Sequence, residues 1–420
     1  MKIPCPHFEE CSGCPRMNLV YKDQLVSKQK DVFEAFLRYG FVETSVKRVL
    51  KDCVRSPLTL SYRNKAKWIL QRDEQGQIKM GIYRAGSHEV VDIPQCSVHA
   101  KPINEVSFFI KDLLSQFKIP IVGDSEEGGC LRYIIVRYSF HADRLMVVLV
   151  TSSKKVRGLN KLLECLQSEW GSKTVAIVQN INDDAGNVLL GEANRFLMKR
   201  GDLTEKLGAF RIGVGPLSFL QVNSRMATKL YKRVQSLIGK GPFEKGLDLY
   251  SGIGLMGMHQ SKSTESILCV EEVGPAALDG VTAARRAKVP NVLHLCADAL
   301  EGIQSFQKEW GSPDWVILNP PRKGCEAEVL QKVSEKSPKR IVYVSCNPET
   351  LARDTALLME YGSYRIKTIE PFDMFPQTAH VETILCLERV KKSKQGSSLK
   401  KTGKKVTRRT GRKKRSKTLH

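Results

Sequence analysis

The chain has 420 residues, of which 41% are hydrophobic, and a formal net charge of +23. That length holds two or three domains with ordinary cores. The absence of an 18-residue apolar run excludes a membrane-spanning helix, and twelve cysteines are too dilute for a disulfide scaffold. A Pro- and Cys-rich start unlike a signal peptide adds the expectation of a cytoplasmic protein with reduced thiols.

Residues 1–43 carry Cys5, Cys11 and Cys14 and then a helical pattern over 25–39. Three thiols this close together are a metal-binding signal, with Cys96 the candidate fourth and His7 and His99 the substitutes to weigh. Zinc ribbons offer two C-x-x-C pairs, so three clustered thiols and one distant favour a [4Fe–4S] cluster. Over 44–215 the pattern is mainly strands: 66–71, 79–83, 133–139, 145–151 and 174–180, interrupted by helices at 101–117 and 156–170. The hairpin-like spacing predicts an antiparallel β-rich domain. Arg63, Lys65 and Lys67 are candidate phosphate contacts on it.

Over 216–390 the period changes. Residues 223–238 read as a helix, with Met226, Leu230, Val234 and Leu237 at helical spacing. Strands then alternate with helices: 246–250, 266–271, 292–295, 315–318 and 340–344, with a final pair at 364–369 and 381–387. Such alternation predicts an α/β, doubly wound, mostly parallel sheet whose ligands bind at the carboxyl ends of the strands. Residues 391–420 contain fourteen Lys or Arg and no acid, which leaves a charge of +9 on the rest. The tail is expected to be disordered and, with a basic body, favours a nucleic-acid partner.

Three motifs converge on the carboxyl edge of this sheet, and a fourth enters its final strand. Asp248 to Gly257 contains G-x-G-x-x-G, with Glu271 about twenty residues on, a pattern shared with dinucleotide sites. A carboxylate at Asp248 would repel a pyrophosphate, whereas S-adenosylmethionine (SAM) carries an ammonium and a sulfonium, so the loop favours SAM. Asn319-Pro320-Pro321-Arg322 fixes a stiff turn after strand 315–318. Ser345-Cys346-Asn347-Pro348 ends the next strand: Asn347 suits an N-cap and Pro348 the first helical position. Cys346 then stands at a helix N-terminus, whose dipole favours thiolate. In His380-Val381-Glu382, period-two spacing puts His380 and Glu382 on one face, where apolar surroundings would raise a carboxyl towards general-base use.

Together these residues resemble the RNA (uracil-5-)methyltransferase family, in its iron–sulfur-containing 23S ribosomal RNA branch. The likeness runs from residue 5 to about 390. It also rests on Gly81-Ile82-Tyr83-Arg84 through Asp92 and on Phe219-Leu220-Gln221-Val222-Asn223. The resemblance implies a Rossmann-like SAM-dependent methyltransferase domain preceded by an antiparallel β-rich domain carrying a Cys-ligated iron–sulfur cluster. Cys346 would be the nucleophile and Glu382 the base that removes the uracil C5 proton. Gln221, Tyr250, Glu271, Asp298 and Asn319 fall at the family's SAM-contacting positions, and Cys5, Cys11, Cys14 and Cys96 at its [4Fe–4S] ligands. The implied domains are 1–43 (cluster segment and helix), 44–215 (RNA-binding, supplying Cys96), 216–390 (methyltransferase) and 391–420 (basic tail). The implied partner is RNA, large-subunit ribosomal RNA first, met by a monomer with no membrane contact. Transfer RNA uracil-5 methylation and a non-catalytic RNA-binding protein are the alternatives. The pattern departs from the family where Asn319 stands for the usual Asp and Leu255 for a common Asn, and no N-terminal RNA-binding β-barrel is expected.

Overall fold

The structure is a computed structural model that describes residues 4–124, 129–184, 190–198, 201–216 and 218–390. The basic tail expected over 391–420 lies outside the described residues. Among these, no helix is long and apolar enough to cross a membrane.

The first sheet contains β1 (Lys65–Arg72), β2 (Ile78–Tyr83), β3 (Val90–Asp92), β4 (Leu131–Ser139), β5 (Arg144–Thr151), β6 (Thr174–Ile181) and β7 (Ala193–Met198), in the order β3-β2-β1-β4-β5-β6-β7. It is not wholly antiparallel as expected: β5 and β6 run parallel, because the helix Leu159–Trp170 carries the chain back across the sheet between them. Alternate residues of β5 enter two cores. Leu145, Val147 and Leu149 pack under the helices Lys101–Gln116 and Leu159–Trp170. Met146, Val148 and Val150 face a second core shared with the helix Ser224–Ile238. A strand covered on both faces loses its polar alternation, which is why β5 reads as an unbroken apolar run. The hairpin of β8 (Leu203–Leu207) and β9 (Phe210–Val214) packs Leu203, Leu207, Ile212 and Val214 into that same second core.

The second sheet contains β10 (Phe243–Leu249), β11 (Thr264–Glu271), β12 (Val292–Cys296), β13 (Trp315–Leu318), β14 (Arg340–Ser345), β15 (Tyr364–Phe372) and β16 (Glu382–Arg389). Its order is β12-β11-β10-β13-β14-β16-β15, parallel except for β16, which is antiparallel to both neighbours. The strands alternate between two buried faces: Ile317, Val342, Val344 and Ile384 meet the helix Ser224–Ile238, whereas Val316, Leu318, Ile341, Tyr343 and Leu385 meet the opposite helical layer. The segment after the short helix Glu43–Val49 caps the outer edge at β15. There Lys51 donates to Ile369 O (2.8 Å) and Val54 to Pro371 O (2.8 Å), so this edge is not left open for pairing.

Two buried residues fix the start of this sheet. Gly246 lies opposite Trp315 in register, and a β-carbon there would fall 2.0 Å from the indole ring, whose Nε1 donates to Thr264 Oγ1 at 3.1 Å. Asp248 is fully buried and accepts from the Gly257 amide at 2.8 Å, while its other oxygen has no partner. Burial holds its carboxyl up at about 7.

Gly246→Ala should cost about 1–3 kcal/mol through overpacking against Trp315, measured by urea unfolding; a neutral result would contradict the close approach. For Asp248, the folded state keeps its proton to higher pH than the unfolded chain, whose Asp titrates near 3.8. Its contribution is therefore fully favourable in acid and is lost as pH rises from about 4 to 7. Asp248→Asn should exceed the wild type in stability at pH 8 by as much as about 4 kcal/mol, with the gap closing below pH 4. A variant less stable than the wild type at pH 8 would refute the assignment.

Candidate active site

The carboxyl ends of β10, β11, β13 and β14 open into a cavity of about 700 Å³. Because β16 runs antiparallel, its amino end reaches the same edge. Ser345 pairs with Thr383, so one step beyond the ladder Cys346 stands against Glu382. The cavity is lined by Gln221, Tyr250, Glu271, Asn319, Arg322, Cys346, Phe375, His380 and Glu382, among others. The structure thus brings together six of the seven residues singled out for catalysis and SAM contact. Asp298 sits between lining residues Ala297 and Ala299 but is exposed, and its carboxylate caps the helix Ala299–Trp310 by accepting from Glu301 N at 2.9 Å.

Glu382 is 3% exposed, and burial raises its carboxyl to about 7. Cys346 is half-buried. Its surroundings overrule the expectation of a dipole-favoured thiolate: burial pushes the thiol up, and the Glu382 carboxylate pushes it further. Arg322 pulls the other way, through its charge and a hydrogen bond to the sulfur. The cap itself forms as expected, with Asn347 accepting from Glu349 N at 3.1 Å and Pro348 opening the helix Pro348–Tyr361. That helix also anchors Arg322, whose carbonyl accepts from Asn347 Nδ2 (3.1 Å) and Thr350 Oγ1 (3.4 Å). Further along the loop, fully buried Asp354 accepts from Cys325 N (2.8 Å) and the Tyr343 hydroxyl (2.5 Å). Arg322 is therefore a residue the motif's reading as a turn passed over.

The glycine loop is held from β11. Glu271 accepts from Gly252 N (2.8 Å) and Val273 N (3.0 Å), while Tyr250 takes a left-handed φ of 57°, uncommon for a side-chain-bearing residue. Asp248, expected to repel a pyrophosphate, does not line the cavity: it points into the core to hold Gly257. Its charge therefore does not discriminate between ligands. The opposite wall is fixed by the first sheet: Asn64 Nδ2 donates to Gln221 O (3.0 Å), and the buried Arg137 guanidinium to Ser218 O (2.6 Å).

The wall bearing Phe375 and His380 is built from the turn between β15 and β16. Four successive carbonyls of this turn are each held by a different part of the chain. Met374 O accepts from Asn223 Nδ2 (3.1 Å), Phe375 O from Lys28 Nζ (2.9 Å), Pro376 O from the Tyr62 hydroxyl (3.0 Å) and Gln377 O from Arg16 N (3.0 Å). Lys28 also pairs with Asp373 at 2.5 Å, both side chains fully buried. Phe375 meets His380 edge-on with ring centroids 6.0 Å apart. His380 is pushed towards the neutral form by burial and by the charges of Arg322, Arg63 and Lys28. Sequence reading missed Lys28 and Gln24. Their signal is two polar residues at i and i+4 on the face of the helix Tyr21–Arg38 that also buries Val32 and Phe36.

Cys5, Cys14 and Cys96 pack around one small cluster with Met17, Tyr62 and Val98, and Cys11 and Cys96 both touch the core of the first sheet. The Cys14 thiol is pushed up to about 12, first by burial and then by Cys96, with Cys11 and Cys5 adding to it. No three His, Cys, Asp or Glu side chains among the described residues close into a group that could hold a metal ion. Arg63 is the positive neighbour of Cys11, Cys14 and Cys96. His99 is buried edge-on to Trp68 (5.0 Å) and lies in the packing. Lys67 lies over the Tyr133 ring at 5.0 Å on the first sheet.

Comparison with known proteins places these features in context. Residues 210–390 match the family model described as tRNA (uracil-5-)-methyltransferase. An uncharacterized RNA methyltransferase of Geobacter sulfurreducens is 37% identical over 96% of this chain and 80% of its own length. One of Staphylococcus aureus is 33% identical over 91% of this chain and 83% of its own. The crystal structure of the Pyrococcus abyssi tRNA (uracil-54, C5)-methyltransferase in complex with S-adenosyl-L-homocysteine superposes with a TM-score of 0.72 at 27% identity, covering 90% of this chain and 86% of that one. With an α/β methyltransferase fold and relatives matched over most of its length, the chain belongs to the tRNA (uracil-5-)-methyltransferase family of RNA methyltransferases.

Proposed function

We propose that this protein transfers a methyl group from SAM to carbon 5 of a uridine in structured RNA. The observation that carries this reading is the placement of Cys346 against Glu382 in one cavity with the glycine loop. The donor's residues fit: Glu271, oriented by two backbone amides, can accept from a ribose, and Gln221, Tyr250 and Asn319 line the same cavity. Bound there, SAM supplies an electrophilic methyl. Asp298, already a helix cap beside Ala297, is the remaining contact of the set.

Carbon 5 of uracil is a weak nucleophile until carbon 6 is attacked. The Cys346 sulfur, ionised with help from Arg322, forms a bond to carbon 6, and the C5–C6 electron pair moves onto the C4 carbonyl as an enolate. That pair returns through carbon 5 to the methyl as the methyl–sulfonium bond breaks. Glu382 takes the C5 proton, the C5–H electrons re-form the C5–C6 double bond, and the bond to Cys346 breaks. A carboxyl raised to about 7 is a better base than an ordinary one and is still ionised in half the molecules at that pH. Phe375 and His380 form the wall against which a flipped base would lie. Flipping costs a few kcal/mol, least in an unpaired loop, so a loop uridine is the expected target.

The domains follow this reading: 1–43 and 44–215 hold RNA and the cysteine site, 216–390 carries out methyl transfer, and 391–420 adds charge. We read the Cys5, Cys11, Cys14 and Cys96 site as the holder of a [4Fe–4S] cluster. Cys96, Cys11 and Cys5 add to the burial that holds the Cys14 thiol up, and a bound cation relieves that. Methyl transfer needs no electron, so these cysteines support the Arg16–Met17 segment and RNA placement. The cysteine set favours large-subunit ribosomal RNA; the archaeal relative is named for tRNA, so labelling trials must offer both substrates. A cytoplasmic monomer is the expected form.

Cys346→Ala should abolish transfer of labelled methyl to uridine C5. Glu382→Gln should lower turnover about 10²–10⁴-fold and accumulate a covalent RNA–protein complex on ordinary uridine, visible on a denaturing gel. A Glu382→Gln enzyme that turns over freely, or label on adenine, would sink this reading. Wild-type turnover should rise with pH through about 7 as Glu382 ionises. An anaerobic preparation should be brown with about four irons per chain; stoichiometric zinc in their place would refute the cluster.

A further inference from the structure

We propose that Lys28 is a positioning residue for the base-binding wall, so that the helix Tyr21–Arg38 is a working part of the active site. The inference rests on the function proposed above and names a residue outside every motif that led to it.

Lys28 Nζ donates to Asp373 Oδ1 (2.5 Å) and to Phe375 O (2.9 Å), with both charged side chains fully buried. The second Asp373 oxygen has no hydrogen-bond partner, and the Tyr21 hydroxyl beside the carboxylate is neutral, so this one ammonium is the charge that pairs with it. One helical turn earlier, Gln24 Nε2 donates to Gln377 Oε1 (2.8 Å) and Gln377 N donates to Gln24 Oε1 (3.0 Å). Lys28 and Gln24 thus grip the turn at both sides of Phe375, whose ring lines the cavity beside His380. An ion pair needed only for packing could stand anywhere in the core. This one ends on the carbonyl of a cavity-lining residue, seven positions before the proposed base.

The SAM end of the cavity is held by other elements: Glu271 by the glycine loop and Gln221 by Asn64. Loosening the Lys28 contact should therefore separate two measurements that general damage would move together. The assay is the rate of covalent adduct formation on RNA carrying 5-fluorouridine in the presence of SAM, with S-adenosylhomocysteine binding measured by calorimetry on the same full-length preparation.

Lys28→Met should slow adduct formation about 100-fold, the cost of a displacement near 1 Å, while S-adenosylhomocysteine binds as in the wild type. Lys28→Gln, which keeps a donor, should recover most of the rate. Lys28→Met forming adduct at the wild-type rate, or losing affinity for the nucleoside in step with the rate, overturns the proposal. Should Lys28→Met fail to fold, Gln24→Ala removes neutral hydrogen bonds only, two to the same turn and one to Leu19 O. It should slow the adduct about tenfold with binding unchanged, and no slowing overturns the proposal. A wild type that forms no adduct would instead sink the uridine reading itself.

Discussion

The antiparallel insertion of β16 between β14 and β15 is the constraint on which the site depends. A parallel strand in that place would deliver its carboxyl end to the cavity and leave its first residues at the far edge. Reversed, it brings Glu382 to the edge where Cys346 leaves the sheet, and the Ser345–Thr383 pairing sets them one step apart. The side-chain period of two makes this register strict. A slip by one residue would turn Glu382 to the opposite face and carry Ile384 and Cys386 out of their core with it. Hydrophobic packing of the strand therefore enforces the alignment of two polar groups, and the chemistry costs the fold no separate device.

Burial then creates a problem that the site must solve. The burial that raises Glu382 into the range of a base also raises Cys346 away from thiolate, and the Glu382 carboxylate makes the thiol harder still to ionise. Arg322 is the compensating charge, and most of the surrounding architecture serves to hold it. Its carbonyl is fixed by Asn347 and Thr350, and the following loop is tied to the buried Asp354. The same motif that ends β14 and starts the next helix thus supplies both the proposed nucleophile and the support for its counter-charge.

Much of this was legible from local pattern. Strand and helix alternation after residue 216 located the carboxyl edge, and the termini of β10, β13 and β14 brought Gly252, Asn319 and Cys346 to it. The first sheet was harder. A helix at Leu159–Trp170 between two apolar strands is the mark of a parallel crossover, but hairpin spacing elsewhere hid it. The hairpin of β8 and β9 was missed because Thr204, Glu205, Lys206, Arg211 and Gly213 leave it little apolar run to detect. Asp248 was assigned to the cavity from its place beside the glycines, although a strand-end side chain can as readily face inwards. Lys28 was out of reach for a different reason: its partner lies 345 residues away, and only the polar break in a helix's buried face hints that such a partner exists.

That break bears on why the N-terminal segment belongs to the enzyme at all. Removing two charges from water is expensive, and a buried pair is often no better for stability than a hydrophobic replacement. Lys28 and Asp373 are better explained by what they specify than by what they add to stability. The turn from Met374 to Gln377 has no ladder of its own: only Phe375 O finds local donors, in Thr378 N and Oγ1, and every one of its four carbonyls also accepts from a group elsewhere in the chain. Each donor comes from a distinct element: the helix Ser224–Ile238 through its cap Asn223, the helix Tyr21–Arg38, the Tyr62 segment before β1, and the loop just after Cys14. An apolar turn at this place could slide. One pinned by four directional bonds has a single position, and the side chains at Phe375 and His380 inherit it. The cysteine site, the N-terminal helix and the segment leading into the first sheet therefore converge mechanically on one wall of the cavity, although none of these three supplies an atom to the proposed bond.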